Sequence, residues 1–596
     1  MMKKLFAGLV SLFVGASALF AQVTVDPSDD FYSQAFIWHS RGVVSRIPPV
    51  RPYPLQNVKA ILDEVLENGN EEDKAVAAEC YERLTGKKLY VYLDVDGYLK
   101  YEKIDKDGTS DSELAKNVYI CPGIQGDLAP FDGTDKASFG YSMGITVAPH
   151  PESECLPNYT NPTHDAVFDP SELGPCKMYL DVNDIIAYGN EDLYVQGGIY
   201  RSGYGNYLGQ GLVLNDTRFH STNLSLTWMK GRLYYTQMLS MLGATRSYNG
   251  DISTLDSGKS LGFHAIGYEV CDWFDFSFYE AAVIGERFDL CTLLPVPYMI
   301  SEELTGAGDG VFMGVTFNVK PAQGWLWATD VLVDDFPINE FLKFNLDSKY
   351  RIAARTGIIW TPEASMVKKV SLTYTAITPY TYSHWEYDPL EKGSRITPTT
   401  INRQNYTNNG IKIGSQYEPN TDAVELSVDL KPVDRLKLNI HGAFSRHGNI
   451  CESITDEEAE EYLSSEAGTY ATDGSIYTHS MFSNDGKNGK HVDTAWNHLN
   501  FLSQDHIETT VRFGADGEYL LLKNDRGSSV SLRAGMDFEY IHNYGVGNEM
   551  FPGGIIDAFE EDAVKKAKLD SVRKAWEDGL CDKLNFYFNL GVSIRY

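Results

Sequence analysis

The side chains of this sequence best suited to bind a ligand are aromatic residues in polar stretches. Trp and Tyr combine a flat apolar face with a polar edge, so their rings stack on sugar rings and form hydrogen bonds at the rim. Four such rings lie in long polar stretches: Trp385, Tyr387, Tyr406 and Trp496. We predict that they bind a carbohydrate; the alternative is that each ring only packs its loop or belongs to an aromatic girdle.

Motifs for catalysis and cofactor binding are incomplete in this sequence. One glycine-rich stretch has Leu208 where a dinucleotide-binding fingerprint needs its third glycine, and a stretch like a phosphate loop has Ser253 where the first glycine is needed. No H-E-x-x-H or G-x-S-x-G pattern occurs. The adjacent acids Asp334 and Asp335 give only weak support for a catalytic pair. We therefore expect no enzyme, no cofactor and no metal site.

The first residues form an export signal. Lys3 and Lys4 precede an apolar stretch that ends in small residues at Ala21, which is the pattern of a cleaved secretory signal peptide over residues 1–21. The apolar run is short for a membrane-crossing helix, which needs about 20 residues. No later stretch is apolar over that length, so a membrane-embedded chain must cross as a barrel.

The composition agrees with an exported membrane protein. The chain has 37 Tyr, 28 Phe and 52 Gly, and tyrosine suits a membrane–water interface. Its formal charge of −31 argues against binding nucleic acid. The 8 cysteines are widely spread; Cys155 and Cys176 bracket one polar loop and are the best candidates for a disulfide, unless both are free core residues.

Two kinds of periodicity divide the mature chain. Residues 22–88 form a predicted periplasmic helical segment, in which Pro54 starts a helix with an apolar stripe and Gly86 ends the last one. From Leu89 onward the period changes to two. Asp96-Gly97 is a hairpin signal, so we expect a turn there and a return strand over 98–103.

The last strand gives the clearest signal. From Leu584 to Tyr596, apolar and polar residues alternate without a break, and the chain ends on an aromatic residue. A tilted transmembrane strand needs about 9–11 residues, so this pattern predicts one. The terminal aromatic also resembles the signal that barrels present to their assembly machinery, which we expect as a partner.

The connections predict a closed barrel over residues 89–596. Pro321, Pro362 and Pro432 mark short turns, whereas 381–420, 450–505 and 545–582 are long polar connections. A soluble β-sandwich also alternates, but short turns on one side and long loops on the other are typical of outer-membrane barrels. At about 28 residues per strand, we predict an all-β, transmembrane antiparallel barrel of about 18 strands, within a range of about 16–20.

Three segments resemble the capsule assembly Wzi family. Arg41-Gly42 precedes a proline-rich stretch and a helix, Arg201 precedes Tyr204-Gly205 and the segment 211–215, and a strand ends at 331–336. The tryptophan- and proline-bearing core expected after Arg201 is replaced here by Tyr204-Gly205-Asn206. The resemblance implies an 18-stranded barrel, a periplasmic helical bundle and a role in holding capsular polysaccharide. Arg201 and Tyr204 join the candidate ligand-binding residues on this basis.

Two functions fit these predictions, and a third fits less well. The first is an outer-membrane barrel of a diderm bacterium that binds, attaches or assembles a capsule-like surface polysaccharide, with membrane lipid and that polysaccharide as partners. The second is a porin-like channel for small cationic or neutral solutes, because a barrel of this size can leave an aqueous pore. The third, a soluble β-rich hydrolase, needs a pair of carboxylates that the sequence does not identify.

Overall fold

A computed structural model describes the chain from the N-terminal helices to the C terminus, with gaps. The described residues are 27, 29–86, 89–106, 108–128, 136–148, 155–157, 177–205, 211–216, 220–243, 258–285, 289–305, 310–363, 365–383, 404–408, 411–464, 473–476, 495–524, 528–557 and 559–596. The predicted signal peptide, residues 1–21, lies outside them. Among the helices of the described part, none is long and apolar enough to cross a bilayer.

Eighteen antiparallel strands close into one barrel, as predicted. They are β1 (Leu89–Ile104), β2 (Thr109–Leu128), β3 (Lys136–Ala148), β4 (Lys177–Gly189), β5 (Leu193–Tyr200), β6 (Ser221–Lys230), β7 (Leu233–Leu242), β8 (Lys259–Cys271), β9 (Phe274–Gly285), β10 (Gly310–Val319), β11 (Trp325–Asp335), β12 (Arg351–Trp360), β13 (Val367–Ile377), β14 (Thr421–Val433), β15 (Leu436–Gly448), β16 (Ile507–Lys523), β17 (Ser529–Tyr544) and β18 (Cys581–Arg595).

The pairing of the first and last strands shows how the alternation of apolar and polar residues predicts the outer and luminal faces of the barrel wall. β1 pairs with β18 from Tyr92↔Arg595 to Ile104↔Lys583, which closes the sheet. Along β18, Leu590 is 48% exposed on the outer surface, whereas Asn585 is 2% exposed on the luminal side. An apolar outer face with a polar inner face is the arrangement that a barrel in lipid requires.

The predicted hairpin at Asp96-Gly97 is wrong. β1 continues through both residues, and Gly97 pairs with Lys116 on one side and Leu590 on the other. The Asp96 carboxylate points into the lumen, where it accepts a hydrogen bond of 2.8 Å from Arg533. Pairing on both edges of the strand and an ion pair inside the barrel outweigh the local turn preference of the Asp-Gly dipeptide.

The two ends of the barrel differ, as the sequence predicts. At the end that holds the C terminus the connections are short, for example 231–232, 320–324 and 361–366. At the other end they include 378–420, 449–506 and 545–580. Pro432 is the exception among the predicted turn prolines: it lies inside β14, at a register shift between Leu430 and Val433, so the turn itself follows β14.

The helical segment lies across the short-turn end. It comprises α1 (Asp30–Ser40), α2 (Leu55–Asn68), α3 (Glu71–Tyr81) and one π-helical turn (Glu82–Gly86). Its own core forms around Trp38, Val58 and Leu62, all fully buried. Contacts tie it to turns spread around the rim: Arg46 to Asp192 (2.8 Å), Ser40 to Thr361 (2.7 Å), Lys368 to Glu72 (2.5 Å) and Lys523 to Glu79 (2.8 Å).

At the opposite end, described residues of the connections 449–506 and 545–580, together with Tyr380, form a folded body that we call the cap. Two short helices lie in earlier loops at this end, α4 (Tyr298–Thr305) and α5 (Ile338–Leu342). The cap itself contains α6 (Asp456–Ser464) and α7 (Asp562–Glu577). Tyr462, Phe551 and Leu569 are buried in a core that belongs to the cap alone. The cap therefore has a hydrophobic core that is separate from the core of the lumen.

Candidate functional site in the barrel lumen and cap

Two chain segments meet inside the barrel and form a small sheet. Val50-Arg51, from the helical segment, pairs with Gly203-Tyr204, from the loop after β5, in the register Val50↔Tyr204 and Arg51↔Gly203. Arg51 forms a buried ion pair of 3.3 Å with Asp216 of the same loop. We call Val50-Arg51 together with residues 203–205 and 211–216 the plug.

Two plug glycines lie where other atoms of the chain approach closely, backbone at Gly211 and the Asp216 side chain at Gly203. A Cβ on Gly211 would lie 1.9 Å from the carbonyl oxygen of Tyr204, and a Cβ on Gly203 would lie 2.8 Å from the Asp216 carboxyl group. A side chain at position 211 would collide with the backbone, whereas one at position 203 would require the buried Asp216 side chain to shift. The glycines that resemble a nucleotide-binding stretch in the sequence therefore serve to fold the loop back into the lumen.

Tyr204 anchors the plug to the luminal wall. Its ring packs edge-on against Phe263 at 5.1 Å and Tyr279 at 5.5 Å, and its hydroxyl lies 2.6 Å from Ser277 Oγ. Beside it, Tyr279 donates a hydrogen bond of 2.7 Å to Asp330, whose second oxygen accepts from the Leu212 backbone N–H at 3.1 Å. Both carboxylate oxygens of this buried acid therefore have partners, as burial requires.

Two tyrosines from the loop after β13 hold the plug from above. Tyr382 donates to the carbonyl oxygen of Leu212 and Tyr406 donates to that of Val213, each at 2.8 Å. The two rings stack on each other with centroids 5.5 Å apart. These contacts join two long loops into one packed body within the lumen.

Two of the three sequence segments that carry the family resemblance form the plug, and the third contacts Tyr382, which binds the plug. The proline-rich stretch supplies Val50-Arg51, the glycine-rich loop supplies Tyr204 and 211–216, and the strand end supplies Asp334, which accepts a hydrogen bond of 2.8 Å from the Tyr382 backbone N–H. Its neighbour Asp335 pairs instead with Lys349, at 2.9 Å. The two adjacent acids thus have separate partners.

The other side of the lumen is charged. On the walls formed by β1 and β15–β18, Arg533 lies 2.8 Å from Asp96, Arg595 lies 2.8 Å from Asp94, and Arg512 lies 2.6 Å from Asp537. The carboxyl side chain of Asp516, on the same wall, is 54% exposed to solvent. One side of the lumen is therefore packed and apolar, whereas the opposite wall is lined with ion pairs and carries the solvent-exposed carboxyl group of Asp516.

A cavity lies between the helical segment and the barrel wall, below the plug. It measures about 130 Å³ and its lining includes His39, Arg46, Tyr234, Asp275 and Lys320. His39 Nδ1 lies 3.1 Å from the Val44 carbonyl oxygen, and its Nε2 lies 3.2 Å from Lys320 Nζ. Burial and the neighbouring ammonium group lower the pKa of His39 from 6.5 to about 3, so the ring is neutral.

Trp496 lies where the cap meets the lumen. The Arg351 guanidinium lies 3.2 Å from the centre of its ring, and Tyr380 packs against it edge-on at 4.5 Å. Trp496 is half-buried, and Arg351 occupies one face of the ring. These contacts hold the Trp496 ring at the boundary between the cap and the lumen.

The predicted binding residues fall into three groups. Tyr204 and Tyr406 are 2% and 0% exposed, so neither ring shows a face to solvent. Arg201 and Trp496 are half-buried. Trp385 and Tyr387 lie outside the described residues. The ligand-binding role of all six stays a prediction.

The predicted disulfide is also untested. Cys155 is buried, with its Sγ 3.7 Å from the Glu113 carbonyl oxygen, and Cys176 lies outside the described residues. Among the described residues, no cluster of side chains suits a metal ion. The sequence did not predict the luminal partners Tyr279, Asp330 and Tyr382, because alternation along a strand gives the face but not the loop that packs on it.

These features define the class: a closed, 18-stranded transmembrane β-barrel with an internal plug and a folded cap. No protein-family model and no curated protein sequence matches the chain. Among solved structures it is similar to Wzi of Escherichia coli, described as an outer-membrane protein involved in group 1 capsule assembly and a carbohydrate-binding β-barrel. The TM-score is 0.51 at 10% identity, over 97% of this chain and 99% of that one.

Two further solved structures also align with the chain. OccAB4 of Acinetobacter baumannii (8% identity) and OccK7 of Pseudomonas aeruginosa (10% identity) each cover 86% of this chain and 99% of their own, with a TM-score of 0.39. A score this low carries no functional argument. The comparison with Wzi shows the fold alone.

Proposed function

We propose that this protein belongs with the Wzi family and binds a cell-surface polysaccharide through its cap, in the outer membrane of a diderm bacterium, after removal of residues 1–21. The observation that carries the proposal is a pair of folded bodies, one inside the lumen and one at the long-loop end of the barrel. The plug fills the apolar side of the lumen, and the cap above it has a core of its own. A rigid cap offers a preorganised surface, which lowers the entropic cost of binding a flexible chain.

The description of Wzi as a carbohydrate-binding barrel supports this reading of a similar fold. Within the cap, Trp496 has one ring face occupied by Arg351, and that cation holds the ring in place. We propose that this half-buried ring contributes to sugar binding where the cap meets the lumen. Trp385 and Tyr387, in the loop between β13 and β14, are proposed to add further rings.

Binding of purified, detergent-solubilised protein to a glycan array tests the proposal. We expect selective binding to one class of polysaccharide, weakened about three- to tenfold by Trp496→Ala, as expected for the loss of one stacking contact. Trp273→Ala is the matched control, because Trp273 is 58% exposed at the short-turn end. Absence of binding to any glycan, or equal weakening by both variants, would count against the cap as the binding surface.

A diffusion channel is the second candidate. The ion pairs along β1 and β15–β18 favour it, because charged groups facing water are typical of a conducting lumen. Planar-bilayer recordings distinguish the two functions: a channel gives stable open steps, whereas a plugged binding protein gives little conductance.

A further inference from the structure

The loop between β9 and β10 folds back over the outside of the barrel. Within this loop, residues 289–301 comprise a 3-10 turn (Leu290–Leu293) and the start of α4. The side chain of Gln237, on β7, donates to the carbonyl oxygens of Thr292 at 2.6 Å and Leu294 at 2.9 Å. We call residues 289–301 the flap.

Register shows that the flap covers the outer wall and not the lumen. Glu280 pairs with His264 across β8 and β9, and its neighbours Tyr279 and Ala281 belong to the luminal core. Because side chains alternate along a strand, Glu280 points outward. Phe278, two residues before it on the same face, is 37% exposed as part of the apolar belt.

Beneath the flap lies a cluster of polar groups that would otherwise face lipid. The Glu280 carboxylate lies 2.9 Å from His264 Nε2 and accepts from the Tyr298 backbone N–H at 2.8 Å. Glu280 is 2% exposed, and the fully buried Tyr298 ring lies 4.4 Å from the His264 ring. A Cβ on Gly262 would lie 2.8 Å from the Thr292 side chain, so the absence of a side chain at Gly262 lets the flap pack closely against the wall.

The outer surface of the flap is apolar. Leu290, Leu294, Met299 and Ile300 are 66%, 52%, 51% and 57% exposed. Acidic and imidazole groups on a lipid-facing wall are costly, and the flap replaces them with aliphatic side chains at the same place on the barrel.

The backbone of the flap is also suited to hydrocarbon, where every unpaired polar group is expensive. Leu294 N–H bonds to the Cys291 carbonyl oxygen and Val296 N–H to that of Leu294, while Pro295 and Pro297 have no N–H to satisfy. Gln237 also satisfies the carbonyl groups of Thr292 and Leu294, so polar backbone atoms across the turn already have partners.

We infer that the flap is a membrane-embedded part of the barrel wall, whose partner is the acyl chains of the leaflet on the long-loop side. The flap continues the apolar belt above Phe278, and it shields the Glu280–His264 pair from those chains. This inference concerns lipid contact and is independent of what the cap binds.

Tryptophan quenching in vesicles tests the inference. The variants Leu294→Trp and Ile300→Trp are placed in dioleoylphosphatidylcholine vesicles and in vesicles of the same lipid brominated along its acyl chains, with wild-type emission subtracted. Phe588→Trp, in the exposed belt of β18, is the lipid-facing reference. Phe559→Trp, 97% exposed in the cap, is the water-facing control.

We expect the added emission at positions 294 and 300 to be quenched as strongly as that at 588, and more strongly than that at 559. Quenching at positions 294 and 300 that is no greater than at 559 would overturn the inference. An oligomer of the wild type that Leu294→Asp dissociates would also overturn it, because a second copy of the chain would then cover the flap in place of lipid. Each variant is first checked for heat-modifiable gel migration, so that only closed barrels are compared.

Discussion

Hydroxyl groups hold the lumen together at the scale of single residues. Tyr382 and Tyr406 each donate to a plug carbonyl group that has no access to solvent. Replacing both with phenylalanine leaves two buried acceptors without those donors. We expect a loss of about 2 kcal/mol in the free energy of unfolding, from about 1 kcal/mol for each bond.

Urea unfolding in detergent measures this change. Tyr519→Phe is the control, because Tyr519 is 41% exposed on the outer surface of β16. If the double variant is as stable as the control variant, the two hydrogen bonds do not hold the plug.

His39 gives the helical segment a dependence on pH. Burial and Lys320 lower its pKa from 6.5 to about 3, so in the folded protein the ring stays neutral over a range in which the unfolded chain takes up a proton. The free energy of unfolding therefore falls as the pH drops from 6.5 towards 3, by at most about 1.4 kcal/mol per pH unit. Above the unfolded pKa the contribution is constant.

Comparison of the wild type with His39→Gln isolates this contribution. Glutamine keeps one donor and one acceptor but does not titrate. We expect the midpoint of urea unfolding, followed from about pH 7 to about pH 4, to fall less steeply in the variant. Parallel pH profiles would show that His39 titrates normally.

At the scale of elements, each strand separates lipid from lumen residue by residue. Phe588 is 37% exposed on the outer face of β18, whereas Asn589, the next residue, points inward. We expect Phe588→Lys to cost about 2–4 kcal/mol in lipid if its depth is near the midplane, and Asn589→Lys to cost much less. Folding yield into vesicles under a urea gradient measures both; equal costs would contradict the assigned faces.

The strands were predictable because their signal is local. Thirteen alternating residues at the end of the chain determine both the faces and the span of β18, and similar patterns indicate the other strands. Asp96-Gly97 shows the limit: the dipeptide favours a turn, but its partners Lys116, Arg533 and Leu590 are far away in the sequence. The plug and the flap were not predicted for the same reason, since each depends on contacts between distant loops.

At the scale of the whole molecule, conductance depends on how tightly the plug fills the lumen. Gly211 has no room for a Cβ, so Gly211→Val must displace the loop from Tyr204. We expect wild-type protein to give little current in planar bilayers, and the variant to give more frequent open steps. Gly108→Val is the control, because a Cβ there meets no atom within 4 Å, although its φ of +59° strains the short turn locally. Large, stable openings in the wild type would favour the channel function instead.

The ladder between Val50-Arg51 and Gly203-Tyr204 constrains biogenesis. Residues before β1 are synthesised first, yet they end up enclosed by a wall whose final edge, β18, is synthesised last. The segment that contains Val50-Arg51 must therefore stay next to the sheet while the strands assemble around it, or else enter the lumen at the short-turn end after β1 and β18 have paired. Either route makes the order of events during insertion, and not only the final energy, a property that this sequence has to encode.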